Sequence, residues 1–184
     1  MKKSSPTSPG RRQAEFIEWR RLLTGVQPYK PLTSGRHRSV GRNSAGRITV
    51  RHKGGGAKRL WRDVDFHYDK KDIPGRIESI EYDPNRSGFI ALVLYCDGER
   101  RYVLAPQGLA RGREVITSVT APVEIGNRLP LGKIPVGTMV YNVELERGRG
   151  AVLVRSAGAG AVVLAQEGGY THLQLPSKEV RMVR

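Results

Sequence analysis

The stretch SIEYDPNRSGFIALVLYCDGERRYVLAP, residues 79–106, decides the fold. Residues 89–96 form a short apolar run suited to a central strand. Ahead of it, Asp83-Pro84-Asn85-Arg86-Ser87-Gly88 is dense in residues that turn a chain. Behind it, Asp97-Gly98 is a hairpin turn dipeptide. Residues 76–82 and 101–104 flank these turns, so the stretch folds back on itself twice.

Working outward, Leu60, Val64, Phe66 and Tyr68 recur at even spacing, the rhythm of a half-buried strand that Ile73-Pro74-Gly75 ends. Residues 115–119 supply a further strand. Short strands at this spacing predict a small closed barrel of the oligonucleotide-binding (OB) type. Pro122 to Pro135 is a junction punctuated by Pro and Gly. Residues 138–145, 151–155, 161–165, 172–175 and 180–183 then read as a second strand series, with glycine turns, of SH3-like size. Upstream the pattern is weaker. Phe16, Trp19, Leu22 and Leu23 are spaced for one face of a short helix within residues 13–23. Residues 33–59 are mostly glycine and basic side chains, with only Ile48-Thr49-Val50 strand-like. The expected fold is all-β: an OB-fold barrel followed by an SH3-like barrel, with a long basic, mostly irregular N-terminal extension. The expected divisions are 1–59, 60–121 and 122–184, the last incomplete at its C-terminal end.

Charge separates the extension from the barrels. Of 184 residues, 32 are Lys or Arg and 17 are Asp or Glu, a formal +15. Residues 1–60 hold 15 basic and 2 acidic side chains; residues 61–184 hold 17 and 15. So large a local excess calls for a polyanionic partner. Arg36, Arg38, Arg42, Arg47, Arg51, Lys53, Lys58 and Arg59 alternate with glycines. Arginine grips phosphate oxygens with a planar fork, and glycine lets a backbone come close enough to donate its N–H groups. The pattern suits threading between folded RNA helices. Arg147-Gly148-Arg149-Gly150 is best read as a basic hairpin tip, and Arg155 sits among small residues that let a partner approach.

Other chemistries fit poorly. Gly54-Gly55-Gly56-Ala57-Lys58 lacks the spacing and the Gly-Lys-Ser/Thr ending of a phosphate loop, so no nucleotide cofactor is expected. His37, His52, His67 and His172 share no metal-ligand spacing, and no G-x-S-x-G elbow occurs. Glu78, Glu81 and Asp83 read as a solvated strand face. The single cysteine, Cys96, closes an apolar run and reads as a buried structural thiol. No run approaches 18 apolar residues, so no membrane span is expected. The aromatics Trp61, Tyr68, Tyr82, Tyr95 and Tyr102 are few enough to disfavour a broad single-strand stacking surface. The reading is a non-enzyme with no cofactor and no metal.

The segments GRNSAGRITVRHKGGGAKR (41–59), SIEYDPNRSGFIAL (79–92), RYVLAP (101–106), GNRLPLGKIPVGT (126–138), NVEL (142–145), LVRSAGAGA (153–161) and LPSKEVRMVR (175–184) resemble the bacterial-type large-subunit ribosomal protein L-two family, in order. The resemblance implies OB-like and SH3-like barrels with a basic extension. It also implies binding to large-subunit ribosomal RNA near the peptidyl-transferase region, contact with neighbouring ribosomal proteins, and support of subunit association. The location implied is the ribosome's large subunit, in the bacterial cytoplasm or, alternatively, an organelle. RNA-binding roles fall on Arg86 and Arg155. The glycine-rich segment that the resemblance places along RNA is residues 46–56, with Arg47, Arg51, His52, Lys53, Gly54, Gly55 and Gly56; the basic pattern read above adds Arg42, Lys58 and Arg59 to the expected RNA-binding set. The resemblance also implies a continuation past the position of Arg184, so the expectation is either a fragment or a second polypeptide that supplies the remainder as a further partner.

Overall fold

The structure, a computed structural model, describes residues 2–25, 27–36 and 40–184. In chain order its elements are β1 (Lys2–Lys3), β2 (Glu15–Phe16), α1 (Trp19–Leu22), a 3-10 turn (Lys30–Leu32), β3 (Thr33–Gly35), β4 (Leu60–Arg62), β5 (Gly75–Glu81), β6 (Ile90–Tyr95), β7 (Arg100–Leu104) and β8 (Glu114–Val115). A second 3-10 turn (Leu131–Lys133) leads to β9 (Met139–Val140), β10 (Val143–Glu144), β11 (Ala151–Leu153), β12 (Ala161–Glu167), β13 (Tyr170–Gln174) and β14 (Val180–Val183). The fold is all-β, with an OB-like first unit and a second strand series after it.

The first sheet runs β7-β6-β5-β8, all neighbours antiparallel. Its central strand β6 is buried along nearly its whole length, because both faces of the sheet are covered. Ala91, Val93 and Tyr95 alternate onto one face with Ile77, Ile80, Val103 and Val115. Ile90 and Leu92 face the other way, with Val64, Tyr102 and Leu104, under Tyr29, Leu32 and Phe66. Ile77 and Ile80 are three residues apart yet share a face. Strict alternation forbids that; a bulge between Ile77 and Ser79 adds the residue that permits it. Gly75 opens β5 where any Cβ would lie 2.5 Å from Val93 Cγ1, so the crossing tolerates no side chain. The second sheet runs β14-β13-β12-β9 around Val140, Val143, Ala161, Val163, Leu173 and Val183. Leu131, Ile134 and Leu175 pack onto that core.

Several expectations need correction. The helical pattern over 13–23 yields only the single turn α1, while Glu15–Phe16 pairs with Lys2–Lys3. Phe16, Trp19 and Leu22 stay exposed, since only Leu23 reaches the core. Ile48-Thr49-Val50 forms no strand. Ile48 makes one isolated bridge to Arg42 and is 63% exposed, because among the described residues no sheet lies beside it to pair with. The strand predicted over 60–68 stops at Arg62, resumes as one bridge from Val64 to Tyr102, and is broken by the left-handed Tyr68 (φ 52°). Similarly, Asn142 (φ 54°) splits 138–145 into β9 and β10. Cys96 is exposed, because it already belongs to the Asp97-Gly98 hairpin rather than to β6. Glu81 and Asp83 are buried at 4% and 0% exposure, not solvated. Each has partners that repay its desolvation: Glu81 accepts from the Tyr102 hydroxyl at 2.7 Å, and Asp83 from Arg86 at 2.5 Å. Among the described residues, no helix is long and apolar enough to cross a membrane.

Burial predicts how substitutions rank. Ile77→Ala removes a side chain that is 1% exposed and should lower unfolding stability by about 2–5 kcal/mol. Ile48→Ala, on a surface loop, should change it by less than about 0.5 kcal/mol. Urea denaturation of the two variants measures both. Equal losses would show that residues 48–50 belong to the folded core.

Candidate nucleic-acid interface

The turn after β5 is built around a buried carboxylate. Asp83 Oδ1 accepts from the backbone N–H and the side-chain amide of Asn85, each at 2.9 Å, so the Asx residue holds its own turn. Its Oδ2 takes Arg86 Nε at 2.5 Å, and Arg62 Nη1 stands 4.0 Å from Oδ1. The Asn85 amide also donates to the Leu60 carbonyl at 2.7 Å, and Arg59 Nη1 donates to the Pro84 carbonyl at 2.9 Å. The basic segment therefore enters the first barrel across this turn.

Arg155 arrives at the same place from the second strand series. Val154 is held left-handed (φ 58°), which is rare for a β-branched residue and aims the next side chain back toward the first barrel. The Arg155 guanidinium carbon stands 4.7 Å from the centre of the Phe66 ring, and that of Arg86 stands 5.5 Å from it. Both arginines thus lie against one aromatic ring. Two backbone contacts fix this approach. Ala151 N–H donates to the Phe66 carbonyl at 2.8 Å, and Ala157 N–H donates to Ser87 Oγ at 3.1 Å. Nearby, Arg128 lies over Tyr68 at 4.2 Å, and the buried Asn142 amide donates to the Tyr68 hydroxyl at 2.9 Å.

Residues 40–59 stand outside both sheets, and every residue from 42 to 59 is exposed. Local bonds give the segment its shape. Asn43 Oδ1 accepts the Arg47 N–H at 2.9 Å, Arg42 Nη1 donates to the Gly46 carbonyl at 2.8 Å, and Thr49 N–H returns to the Gly41 carbonyl at 2.9 Å. His52 is left-handed at φ 61°, and Gly54, Gly55 and Gly56 follow at φ 140°, 68° and 82°. Three successive positive-φ residues need glycine, and they leave that backbone open to a close neighbour.

The barrels neutralise their own charge. Arg101 lies among Asp65, Asp69 and Glu99; Lys70 pairs with Asp97 and Glu99; Arg100 pairs with Glu78, and Arg128 with Glu144. The Arg101 hydrogen bond holds the Asp69 carboxyl below its ordinary value, and Lys70 does the same for Asp97. Arg101 and Lys70 together depress Glu99, and Arg100 depresses Glu78. Burial works against the charge of Arg101, but its carboxylates prevail and its proton is held more tightly than usual. By contrast, among the described residues Arg42, Arg47, Arg51, Lys53, Lys58, Arg59 and Arg155 form no ion pair. Their counter-charge must come from elsewhere.

The structure thus brings Arg59, Arg86 and Arg155 together at adjoining turns, and it leaves Arg42 to Lys58 on a separate exposed loop. Arg38 and His37 lie outside the described residues. Sequence reasoning missed Phe66 as the meeting point and Asp83 as the buried counter-ion. The second was findable: Asp, Asn two positions on and Arg three on is an Asx turn with its own cation. Among the described residues, no cluster of His, Cys, Asp and Glu is placed to hold a metal ion. Of the aromatics considered for stacking, Tyr95 and Tyr102 are core residues and Tyr68 is partly buried against the core. Trp61 and Tyr82 remain exposed.

Two family models match the chain. Ribosomal Proteins L2, RNA binding N-terminal domain, covers residues 29–117, and Ribosomal Proteins L2, C-terminal domain, covers residues 124–184. The boundary between the matches falls in the junction between the two strand series.

Two outcomes follow from the geometry. Arg86→Ala strips a partner from a fully buried carboxylate and should cost roughly 1–3 kcal/mol, whereas Arg155→Ala should leave the thermal midpoint almost unchanged. Equal midpoints for both variants would remove Asp83 as the organiser of its turn. Acid should act through the paired carboxylates. Their folded-state values are depressed, so their stabilisation is present above the ordinary carboxylate range and is lost as pH falls through the lower folded values. Circular dichroism melts should be flat near neutrality and fall only below that range. A decline that begins near neutral pH would point to other groups.

Proposed function

The chain belongs to the Ribosomal Proteins L2 family, a family of structural, non-enzymatic ribosomal proteins, and from that membership we propose how its surface meets ribosomal RNA. As a member it is a constituent of the large ribosomal subunit that binds ribosomal RNA beside other ribosomal proteins. In the proposed arrangement, Arg155 and the free edge of Arg86 take phosphates where the two barrels meet. Arg42, Arg47, Arg51, His52, Lys53, Lys58 and Arg59 follow an RNA backbone, and Gly54, Gly55 and Gly56 let it approach. The division at 59/60 and 121/122 separates RNA-threading segment, OB-fold domain and SH3-like barrel. We place the bound RNA near the peptidyl-transferase region and assign the protein a part in subunit association.

One observation carries this reading. Among the described residues, barrel acids such as Asp65, Glu78 and Glu144 are paired with barrel cations, and no ion pair reaches the exposed arginines and lysines of residues 42–59. Phosphate is the anion that glycine-lined arginines suit best. Side-chain accessibility separates the two turn arginines. Arg86 is 18% exposed and Arg155 is exposed, so Arg155 has more donors to offer.

Filter binding to large-subunit ribosomal RNA across a salt series tests the proposal. Affinity should fall with a log–log slope of about −0.7 to −0.9 per phosphate engaged. Replacing Arg47, Arg51 and Lys53 together by alanine should make the slope shallower by about 2 to 3. Arg155→Ala should weaken binding while the fold persists. A salt-independent affinity, or a triple variant with the parent slope, would reject the electrostatic contacts assigned here.

A further inference from the structure

We propose that Trp19 and Tyr82 form a stacking platform for one unpaired base of the bound RNA; this rests on the RNA-binding reading above and adds a contact of a different kind. The two ring centres are 4.6 Å apart at 33°, and Phe89 braces Trp19 edge-on at 6.2 Å and 79°. Trp19 is 46% exposed and Tyr82 41%. Large aromatic rings gain most from leaving water, so a preassembled pair this open has stacking surface to offer.

The platform is held from both sides. Tyr82 lies between Glu81, the last residue of β5, and the buried Asp83. Trp19 is tethered by the segment after α1: Leu23 packs into the core, and Thr24 and Gly25 donate their backbone N–H groups to the Ile80 carbonyl at 3.0 and 3.2 Å. The rings are thus fixed one residue from the turn that carries Arg86.

The surroundings select the occupant. Glu18, the adjacent acid, is engaged by Arg21 at 2.7 Å, and Arg20 forms no ion pair among the described residues. Trp61 has Arg36 over its ring at 4.8 Å, whereas among the described residues no cation covers Trp19 or Tyr82. Two open rings with an arginine-bearing turn beside them present a π-face and a phosphate grip together, which is the chemistry of a splayed-out nucleotide. Two rings hold one base, so this is compatible with the absence of a broad stacking surface.

The test uses the full chain and large-subunit ribosomal RNA. In a Trp61→Phe background Trp19 is the sole tryptophan, and its fluorescence should be quenched on RNA addition. Trp19→Ala and Tyr82→Ala should each weaken binding about tenfold with the salt slope of the parent, because stacking releases no counterions. Tyr82→Phe should keep parent affinity. Unquenched Trp19 emission in a complex that still forms would overturn the platform, and so would parent affinity in both alanine variants. Loss of contact with a neighbouring ribosomal protein, with RNA affinity intact, would assign the rings to that protein and overturn it equally. Failure of the parent chain to bind RNA would instead strike the reading on which the platform rests.

Discussion

The two strand series are joined at Phe66. Its carbonyl receives a backbone N–H from Ala151, and its ring carries one arginine from each series, Arg86 and Arg155. Cation–π contacts on a half-covered ring are worth only about 0.5–2 kcal/mol each, so their weight lies in position rather than in strength. The Ala157 N–H bond to Ser87 Oγ brings the two arginine turns together, and the ring gives their guanidinium groups a common surface. With it, a cation anchored in the first barrel and a cation offered by the second lie side by side. The left-handed Val154 and the Asp83 carboxylate both serve this placement, one by aiming Arg155 and the other by tethering Arg86.

The electrostatic layout follows from a division of labour among cations. Arg100, Arg101, Lys70 and Arg128 are held by carboxylates, and their role ends within the fold. Exposed pairs of this kind contribute little stability singly, but they leave the barrel surface close to neutral. The excess then resides on a segment whose own hydrogen bonds shape it loosely and whose backbone contains the three left-handed glycines. Such a segment suits a partner that brings both the negative charge and the walls.

Much of the barrel architecture was legible in residues 79–106 because its signals are local. A dense apolar run, a stretch rich in turn residues and an Asp-Gly hairpin each act within a few residues. Long-range effects were hidden. Nothing near Glu81 announces that Tyr102 will meet it, so it read as solvated. The apolar spacing of Phe16, Trp19 and Leu22 suggested a buried helix face, but only Leu23 finds a surface to cover. Ile48 and Val50 have strand-like side chains and, among the described residues, no strand beside them. In the interface, the residue types of the basic segment were readable from composition, whereas the convergence of Arg86 and Arg155 on Phe66 depends on two turns 69 positions apart in the chain.

The bulge in β5 reaches further than its one extra residue. It reverses the parity of everything after it, so a strand that begins with odd-numbered residues facing the Ile77 core ends with even-numbered ones there. Glu81, which an unbroken rhythm would drive into that oily interior, is delivered instead to the opposite side. There the Tyr102 hydroxyl donates to it while itself accepting the Tyr29 N–H at 2.8 Å. A single skipped beat thus converts what would have been a misplaced charge into the clasp that fastens the entering chain to the sheet.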